Sequence, residues 1–448
     1  MPLNRASRSR LPVLLFVAVA VFYFATAWVF GPASNWHGQT SEYYALLTDA
    51  FLAGQTSLLL PPPSELLALP NPYDPLRNGE FRLHDASLYH GKYYLYFGPT
   101  PALVLFLPYR VLTGSHLPSR IAVAIFCTCG FACTCALFFL LAKLEKWDIP
   151  TWFASSAVIS LGTAPAFSFL LTHPSFYEVA IAAGYCFVMA GFLLTAHSLG
   201  QDRPRVASLI GAGLCFGLAV GCRPNYASMA ILMVLLVTFR MRLFKALALA
   251  FVGPVALCGV LLAAYNYTRF QNPFEFGVRY QLLADPKDLD NHFNHIVRNF
   301  LPGIYALVLS PPSRWLCWFY RSIGLFWGSP TALLGLFTPL VLRYGGSKGA
   351  VKLGSTRFTM YGIHVSALSM LVVLALLGFT VGRYSVDFAP EFVLLSWCLL
   401  AAWWQAAPQL PKGRLVRFRF AVVAIALYSA VLGVGMCVQL VHPNVACG

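Results

Sequence analysis

Three carboxylates in this sequence stand where they could act on a substrate. Glu42 opens a stretch of helical periodicity, Asp85 lies near the end of the same polar region, and Glu178 begins an apolar run in Tyr177-Glu178-Val179. A carboxylate held out of bulk water can take a proton from a hydroxyl group, which is the work of a general base. Structural interpretations stay open, because Glu42 can simply face water and Glu178 can be paired with a cation.

Three cations stand at comparable places and could neutralise a phosphate. Lys92 lies among tyrosines, Arg223 lies between two apolar runs, and Arg383 precedes Asp387 by four residues. Each has a structural alternative. Lys92 can extend its ammonium group to a membrane interface, and Arg383 can pair with Asp387 across one helical turn.

Metal-ligating residue types occur in two clusters, and neither indicates a strong site. His292 and His295 have i, i+3 spacing near Asp288 and Asp290, but histidines in loops are usually just solvated. At about 100° per residue, helical geometry does not bring four cysteines to one point; these are Cys127, Cys129, Cys133 and Cys135. We therefore expect no cofactor, with a divalent metal left open.

The composition excludes a soluble enzyme. Of 448 residues 58% are hydrophobic and only 10% are charged, with a mean hydropathy of +0.67. A soluble domain carries roughly 25% charge, so this chain must contact lipid over most of its surface. The formal net charge of +15 is typical of basic loops that stay in the cytoplasm, and we expect no nucleic-acid partner.

Long apolar runs predict an all-α bundle of roughly 11 to 12 spans forming one membrane domain over 1–448. Basic residues at Arg5, Arg8 and Arg10 place the N-terminus in the cytoplasm, in a protein integral to the cytoplasmic (inner) membrane. Two long loops, 31–97 and 266–323, then face outside. The proline-interrupted run 98–111 breaks this alternation of sides; either it dips in and returns, or a weak span nearby is miscounted.

The first long loop contains an amphipathic helix. Tyr43, Leu46, Leu47 and Ala50 recur at i, i+3, i+4 and i+7, and this pattern predicts a surface helix over 42–53. Gly54 is placed to end it.

This arrangement resembles the GT-C class of membrane glycosyltransferases, with the aminoarabinose and protein-mannosyl transferases as the nearest shapes. The features that carry the resemblance are a first span followed by the surface helix at Tyr43–Gly54, Gly91-Lys92-Tyr93 before Pro99 and Pro101, Arg120 at a helix start, Tyr177-Glu178, and a Gly-rich helix that ends in Arg223-Pro224.

The resemblance implies an enzyme that moves a sugar from a polyprenyl-phosphate donor to a lipid, glycan or protein acceptor at the outer face. Its partners would be that polyprenyl-linked sugar, the acceptor and membrane lipids. Asp85, Glu42 or Glu178 would serve as the base, and Lys92, Arg223 and Arg383 would bind the donor phosphate.

One departure from the family pattern keeps other functions open. Many relatives have Asp-Glu just before the surface helix, where this chain has Gln39-Thr40-Ser41. Glu42 or Asp85 would have to replace the missing acid. The alternatives are a secondary transporter, although no internal repeat is evident, and a non-catalytic membrane assembly subunit.

Overall fold

The computed structural model describes residues 10–30, 42–164, 166–283, 296–311, 323–340, 354–378, 380–406 and 411–441. Within these residues the chain is an all-α bundle with one two-stranded antiparallel sheet. Helices suit this composition because a helix satisfies its backbone hydrogen bonds internally, as lipid requires. The chain is thus a multi-pass membrane protein of the predicted class.

The elements follow one another in a simple order. The helices of the first half are α1 (Leu11–Phe30), α2 (Tyr43–Leu52), α3 (Ser64–Leu67), α4 (Pro75–Asn78), α5 (Leu107–Thr113), α6 (Ser119–Leu144), α7 (Thr151–Gly162), α8 (Ala166–Thr172), α9 (Phe176–Leu199) and α10 (Val206–Val220). Those of the second half are α11 (Ala227–Arg240), α12 (Lys245–Phe270), α13 (Ile296–Ile304), α14 (Leu325–Gly328), α15 (Ala332–Leu336), α16 (Ser355–Leu376), α17 (Ala389–Ala406) and α18 (Lys412–Val441). The strands are β1 (Ser87–Tyr89) and β2 (Lys92–Tyr94), and single turns of other helix types occur at Ala102–Phe106, Pro224–Tyr226, Val278–Tyr280, Tyr305–Leu309 and Gly382–Asp387.

Six of the described helices are long and apolar enough to cross a membrane, namely α1, α6, α9, α12, α16 and α18. The pair α7 and α8, bent by 51°, adds a seventh candidate. Hydropathy predicts roughly 11 to 12 spans. The difference arises because runs such as α10 and α11 fold as shorter apolar helices, and because part of the run 326–342 lies outside the described residues.

The helix predicted in the first long loop is present. Helix α2 covers Tyr43–Leu52, with Glu42 as its N-cap and Ala53 as its C-cap. It buries Tyr43, Tyr44, Leu47 and Ala50, so its apolar face points into the core. Gly54 follows with a φ of +74°, a conformation that favours glycine and ends the helix. We call the end of the bundle that carries α2 the loop face.

The proline-interrupted segment returns to the loop face instead of crossing the membrane. Residues Ala102–Thr113 span about 18 Å at 1.5 Å per residue, against a hydrocarbon core of about 30 Å. The Tyr44 ring of α2 lies 5.6 Å from the Phe106 ring, and one turn later Arg110 Nε donates to Asp49 Oδ1 at 3.3 Å. The segment therefore runs alongside α2.

A tight hairpin connects the two long loops. His90 and Gly91 have φ values of 47° and 69°, as a type I′ turn between β1 and β2 requires. Ser87 of β1 forms a bridge to Gln281, and its Oγ donates to the Gly277 carbonyl at 2.8 Å. Loop 31–97 is thereby joined to the start of loop 266–323, of which residues 284–295 and 312–322 are not described.

Close helix contacts in the bundle depend on small residues, as is common between membrane helices. At Gly213 of α10 an added Cβ would lie 2.1 Å from the Phe251 carbonyl oxygen of α12. Backbone atoms cannot move aside as a flexible side chain can. Gly259, also on α12, has nothing within 4 Å of such a Cβ.

Gly213→Ala should therefore destabilise the protein by about 1 to 3 kcal/mol, the usual cost of overpacking a close contact. Thermal unfolding in nanodiscs measures the effect, with Gly259→Ala as the matched control that keeps or raises the midpoint. Equal midpoints for the two variants would contradict the α10–α12 packing described above.

Candidate active site

The start of α9 holds a buried ion pair. Ser175 caps the helix and donates from its backbone N–H to Glu178 Oε2 at 3.0 Å, completing a capping box. Arg383 Nη1 donates to the other oxygen, Glu178 Oε1, at 3.2 Å. Glu178 is only 2% exposed. The pairing that the sequence left open for Glu178 is therefore present, and its partner is 205 residues away.

A second buried pair joins Arg223 to Asp387. Arg223 Nη1 donates to Asp387 Oδ2, and the Tyr226 hydroxyl donates to Asp387 Oδ1 at 2.5 Å. The alternative of an Arg383–Asp387 pair across one helical turn is thus wrong. In the turn Gly382–Asp387 the two side chains instead bind partners from other parts of the chain. Arg383 binds Glu178 and Asp387 binds Arg223, so each buried charge has an opposite charge beside it.

Aromatic rings join the two ion pairs into one cluster. The Arg223 guanidinium lies 4.9 Å from the Tyr384 ring centre, and the Arg383 guanidinium lies 5.5 Å from the same ring. Arg383 also stacks over Tyr177 at 4.3 Å. We call Glu178, Arg223, Arg383 and Asp387 the paired cluster. Its two positive and two negative charges balance.

Asp85 is held beside this cluster in a strained conformation. Its φ is +55°, which is uncommon for a residue other than glycine and is often found at functional sites. The Tyr177 hydroxyl donates to Asp85 Oδ2, and the Asp85 backbone N–H donates to the Leu282 carbonyl at 3.2 Å. His84 Nε2 lies 3.8 Å from Asp85 Oδ1. The hydrogen bond from Tyr177 therefore orients one carboxylate oxygen of Asp85, and His84 lies near the other oxygen.

Tyr96 lies within electrostatic range of Asp85 and of the two arginines of the paired cluster. Burial raises its pKa well above the ordinary value, and the nearby charge of Asp85 and the phenol of Tyr384 raise it further, while Arg383 and Arg223 act in the opposite direction. Its hydroxyl is consequently a neutral hydrogen-bond donor at physiological pH.

Glu42 performs a structural task in this structure. Its Oε2 accepts hydrogen bonds from the Ser119 backbone N–H at 2.9 Å and from the Ser119 hydroxyl at 2.7 Å, so that it caps the start of α6. Burial raises the pKa of Glu42, and the Ser119 hydrogen bonds and Arg120 lower it. The next residue, Tyr43, donates to the His84 carbonyl at 2.5 Å, which brings Glu42 close to Asp85.

Lys92 lies apart from the paired cluster. It is exposed at the end of the hairpin, where it is paired in register with Tyr89. The hairpin rings of Tyr89 and Tyr94 pack against Phe270 at 5.6 and 5.3 Å. Lys92 is thereby brought toward the end of α12, whereas Arg223, Arg383 and Glu178 converge elsewhere on the loop face.

The sequence reasoning missed Arg269, which adjoins that hairpin. Arg269 is 2% exposed and has no ion pair among the described residues. Its Nη1 donates to the Leu95 carbonyl and its Nη2 to Asn266 Oδ1, both at 2.5 Å. An arginine in the last turn of a helix ordinarily indicates only a favourable dipole interaction, so nothing in the sequence distinguished it.

Three buried donors on α12 and α2 lack a partner within the described part of the chain. They are Arg269 Nε and the hydroxyls of Tyr265 and Tyr44. The Arg269 guanidinium lies 4.1 Å from the Tyr265 ring centre, and Tyr44 lies within electrostatic range of both Tyr265 and Arg223. Buried donors normally have acceptors. We call these three residues the orphan donors, and an anion is the ligand that suits such a set.

The candidate metal residues give no ligand set in the described chain. Among those residues, no three side chains of His, Cys, Asp or Glu are grouped as metal ligands would be. His292, His295, Asp288 and Asp290 lie outside the described residues. On α6, Cys129 is exposed whereas Cys127 and Cys135 are buried, so the cysteines occupy different faces of the helix.

Solved membrane proteins share this fold. The oligosaccharyltransferase of Archaeoglobus fulgidus, tethered to an acceptor peptide with the NVT sequon, matches with a TM-score of 0.53 and 14% identity over 98% of this chain and 56% of its own. ArnT from Cupriavidus metallidurans bound to undecaprenyl phosphate gives a TM-score of 0.48 and 16% identity, over 97% of this chain and 77% of ArnT. Its apo structure gives 0.47 and 14% over the same shares.

The likeness to the oligosaccharyltransferase shows the fold alone. The chain spans about half the length of that protein, and activities differ widely among proteins of one fold. No protein-family model matches the chain, and no curated protein matches it in sequence. The polytopic all-α membrane architecture predicted from the sequence is confirmed.

Asp387→Asn should destabilise the fold by about 3 to 5 kcal/mol, because it leaves Arg223 buried beside a neutral partner. Thermal unfolding in nanodiscs measures the change. Glu65→Gln is the control, since Glu65 is exposed and its carboxylate accepts from the exposed Ser64 hydroxyl at 3.0 Å. The double variant Arg223→Gln/Asp387→Asn should regain part of the loss. A single variant as stable as the control would contradict a buried pair.

Proposed function

We propose that this chain is a glycosyltransferase that moves a sugar from a polyprenyl-phosphate donor to an acceptor hydroxyl. The observation that carries the proposal is that the same short stretch, Leu95-Tyr96, interacts with both Arg269 and Asp85. Arg269 donates to the Leu95 carbonyl, and Asp85 lies within electrostatic range of Tyr96. A buried cation with no ion pair in the described residues and an oriented carboxylate are the two groups that displacement at a sugar phosphate needs.

The reaction is a direct displacement at the anomeric carbon. The acceptor oxygen forms a bond to the anomeric carbon. At the same time the bond between that carbon and the donor phosphate oxygen breaks. Asp85 takes the acceptor proton, and the electron pair of the broken bond leaves with the phosphate. Tyr177 orients Asp85 through its hydroxyl, and it is itself fixed by stacking on Arg383.

The orphan donors hold the leaving phosphate in this proposal. Arg269 Nε and the two tyrosine hydroxyls have unused donors, and Lys92 extends from the hairpin that packs on Phe270, next to Arg269. Arg223 and Arg383 already have acid partners, so the proposal gives them and Glu178 a positioning role. Glu42 supports the site by capping α6.

The donor class and the membrane side come from the sequence. The resemblance to GT-C enzymes supports a polyprenyl phosphate, and basic loops support a cytoplasmic N-terminus with the loop face outside the cytoplasmic membrane. The acceptor on this proposal is a lipid, glycan or protein hydroxyl. The direct test supplies purified protein in proteoliposomes with radiolabelled polyprenyl-phosphate sugars; no transfer from any of them, with uptake of a solute instead, would favour a transporter.

Asp85→Asn should lower the transfer rate by a factor of about 10² to 10⁴, the usual contribution of a general base. Glu42→Gln should lower it less than about tenfold, since Glu42 caps a helix. Initial rates in proteoliposomes measure both, and Asp74→Asn, which alters the N-cap of α4 away from the site, is the control. A large loss for Glu42→Gln with full activity for Asp85→Asn would exchange the two roles.

Arg269→Gln should weaken the binding of polyprenyl phosphate by a factor of about 10 to 150, which corresponds to the loss of about 1.5 to 3 kcal/mol for a hydrogen bond to a charged group. Binding without turnover is measured by microscale thermophoresis in detergent. Arg279→Gln is the matched control. Unchanged affinity in Arg269→Gln, with a loss in Arg223→Gln, would place the phosphate in the paired cluster instead.

A further inference from the structure

An apolar groove of about 630 Å³ runs along one face of α1. It is lined chiefly by Phe16, Ala20, Phe24, Ala25 and Trp28, with Ile121 of α6 at its side. Its α1 residues recur four apart in two adjacent rows, and this repeat keeps them on one side of the helix. The alanines leave room between the larger side chains.

The groove faces lipid and has the length of one leaflet. Only 22% of the α1 span is buried in the bundle. From Phe16 to Val29 the lining covers about 20 Å at 1.5 Å per residue, whereas half of the hydrocarbon core is about 15 Å. A single hydrocarbon chain that starts at the loop face therefore fits along it.

Arg120 lies at the loop-face end of the groove. Its guanidinium lies 4.3 Å from the ring centre of Trp28, which lines the groove, and within electrostatic range of Glu42. Tryptophan is typical of the membrane interface, and a cation at that depth attracts an anionic headgroup. The groove thus has an apolar body and a basic end, which matches an anionic lipid.

This end of the groove and Asp85 both adjoin the start of α2. Arg120 follows Ser119, which donates to Glu42. Tyr43 follows Glu42 and donates to the carbonyl of His84, the residue before Asp85. Arg269 belongs to α12, which packs on α10 and α11, whereas α1 packs on α6, α7 and α8. A lipid in the groove and a donor phosphate at Arg269 would therefore approach Asp85 along different helices.

We propose that this groove binds the acceptor, and that the acceptor is an anionic lipid with its hydrocarbon along α1 and its headgroup phosphate at Arg120. The inference rests on the proposed function. It adds the acceptor class and its docking site. The headgroup hydroxyl then reaches Asp85, gives its proton to that carboxylate and forms the new bond to the sugar.

Binding is tested without turnover by photolabelling. The protein is placed in nanodiscs that contain a photoactivatable phosphatidylglycerol, and labelled peptides are identified by mass spectrometry. Labelling of α1 should fall at least about fivefold in Ala25→Trp, which fills the groove, and in Arg120→Gln. Val431→Trp, on an exposed face of α18, is the control and should label as the unmodified protein does. Equal labelling in Ala25→Trp, or by a phosphatidylcholine probe, would mean annular lipid only and would overturn the inference.

Transfer assays separate this inference from the proposed function. Ala25→Trp should bind polyprenyl phosphate normally but show a KM for a lipid acceptor raised at least about tenfold. If the unmodified protein transfers sugar and Ala25→Trp does so with the same KM, the acceptor site is refuted while the function stands. If the groove is labelled specifically and no sugar is transferred, the function and the acceptor assignment fail while an anionic-lipid site remains.

Discussion

The loop face of this protein is organised by the need to keep buried charges paired. Arg223 with Asp387 and Arg383 with Glu178 lie in a low-dielectric interior, where an isolated charge would be costly to bury. Each pair joins segments more than 160 residues apart. Together they connect the start of α9, the turn after α10 and the turn before α17. They also fix Tyr177, through which Asp85 is oriented.

The charges of the paired cluster balance, which suits a positioning role better than direct participation in the reaction. Because its two arginines are neutralised by two acids, the cluster has little net charge to offer to a leaving phosphate. Arg269 differs, as a buried cation with no ion pair in the described residues. Arg269 is held by its hydrogen bond to the Leu95 carbonyl, and Asp85 is held by the Tyr177 hydroxyl. In the proposed function the first group binds the phosphate and the second takes the acceptor proton.

Local structure could be predicted well from the sequence, and long-range pairing could not. The periodicity of Tyr43, Leu46, Leu47 and Ala50 predicted α2, and Gly54 marked its end, because both signals depend on neighbouring residues alone. The pairing of Arg383 with Glu178 instead of Asp387 depends on which helix ends meet in space. Arg269 was missed for the same reason, since its lack of an acid partner is a property of the fold. The course of 102–113 also needed the contacts with α2.

The most direct test of the central claim is a cryo-EM structure of the protein in nanodiscs with saturating undecaprenyl phosphate. The account predicts phosphate density within hydrogen-bond distance, about 3 Å, of Arg269 Nε, with the hydroxyls of Tyr265 and Tyr44 turned toward it. The Asp85 carboxylate should remain hydrogen-bonded to the Tyr177 hydroxyl. Phosphate density at Arg223 and Arg383, with either ion pair opened, would contradict the account.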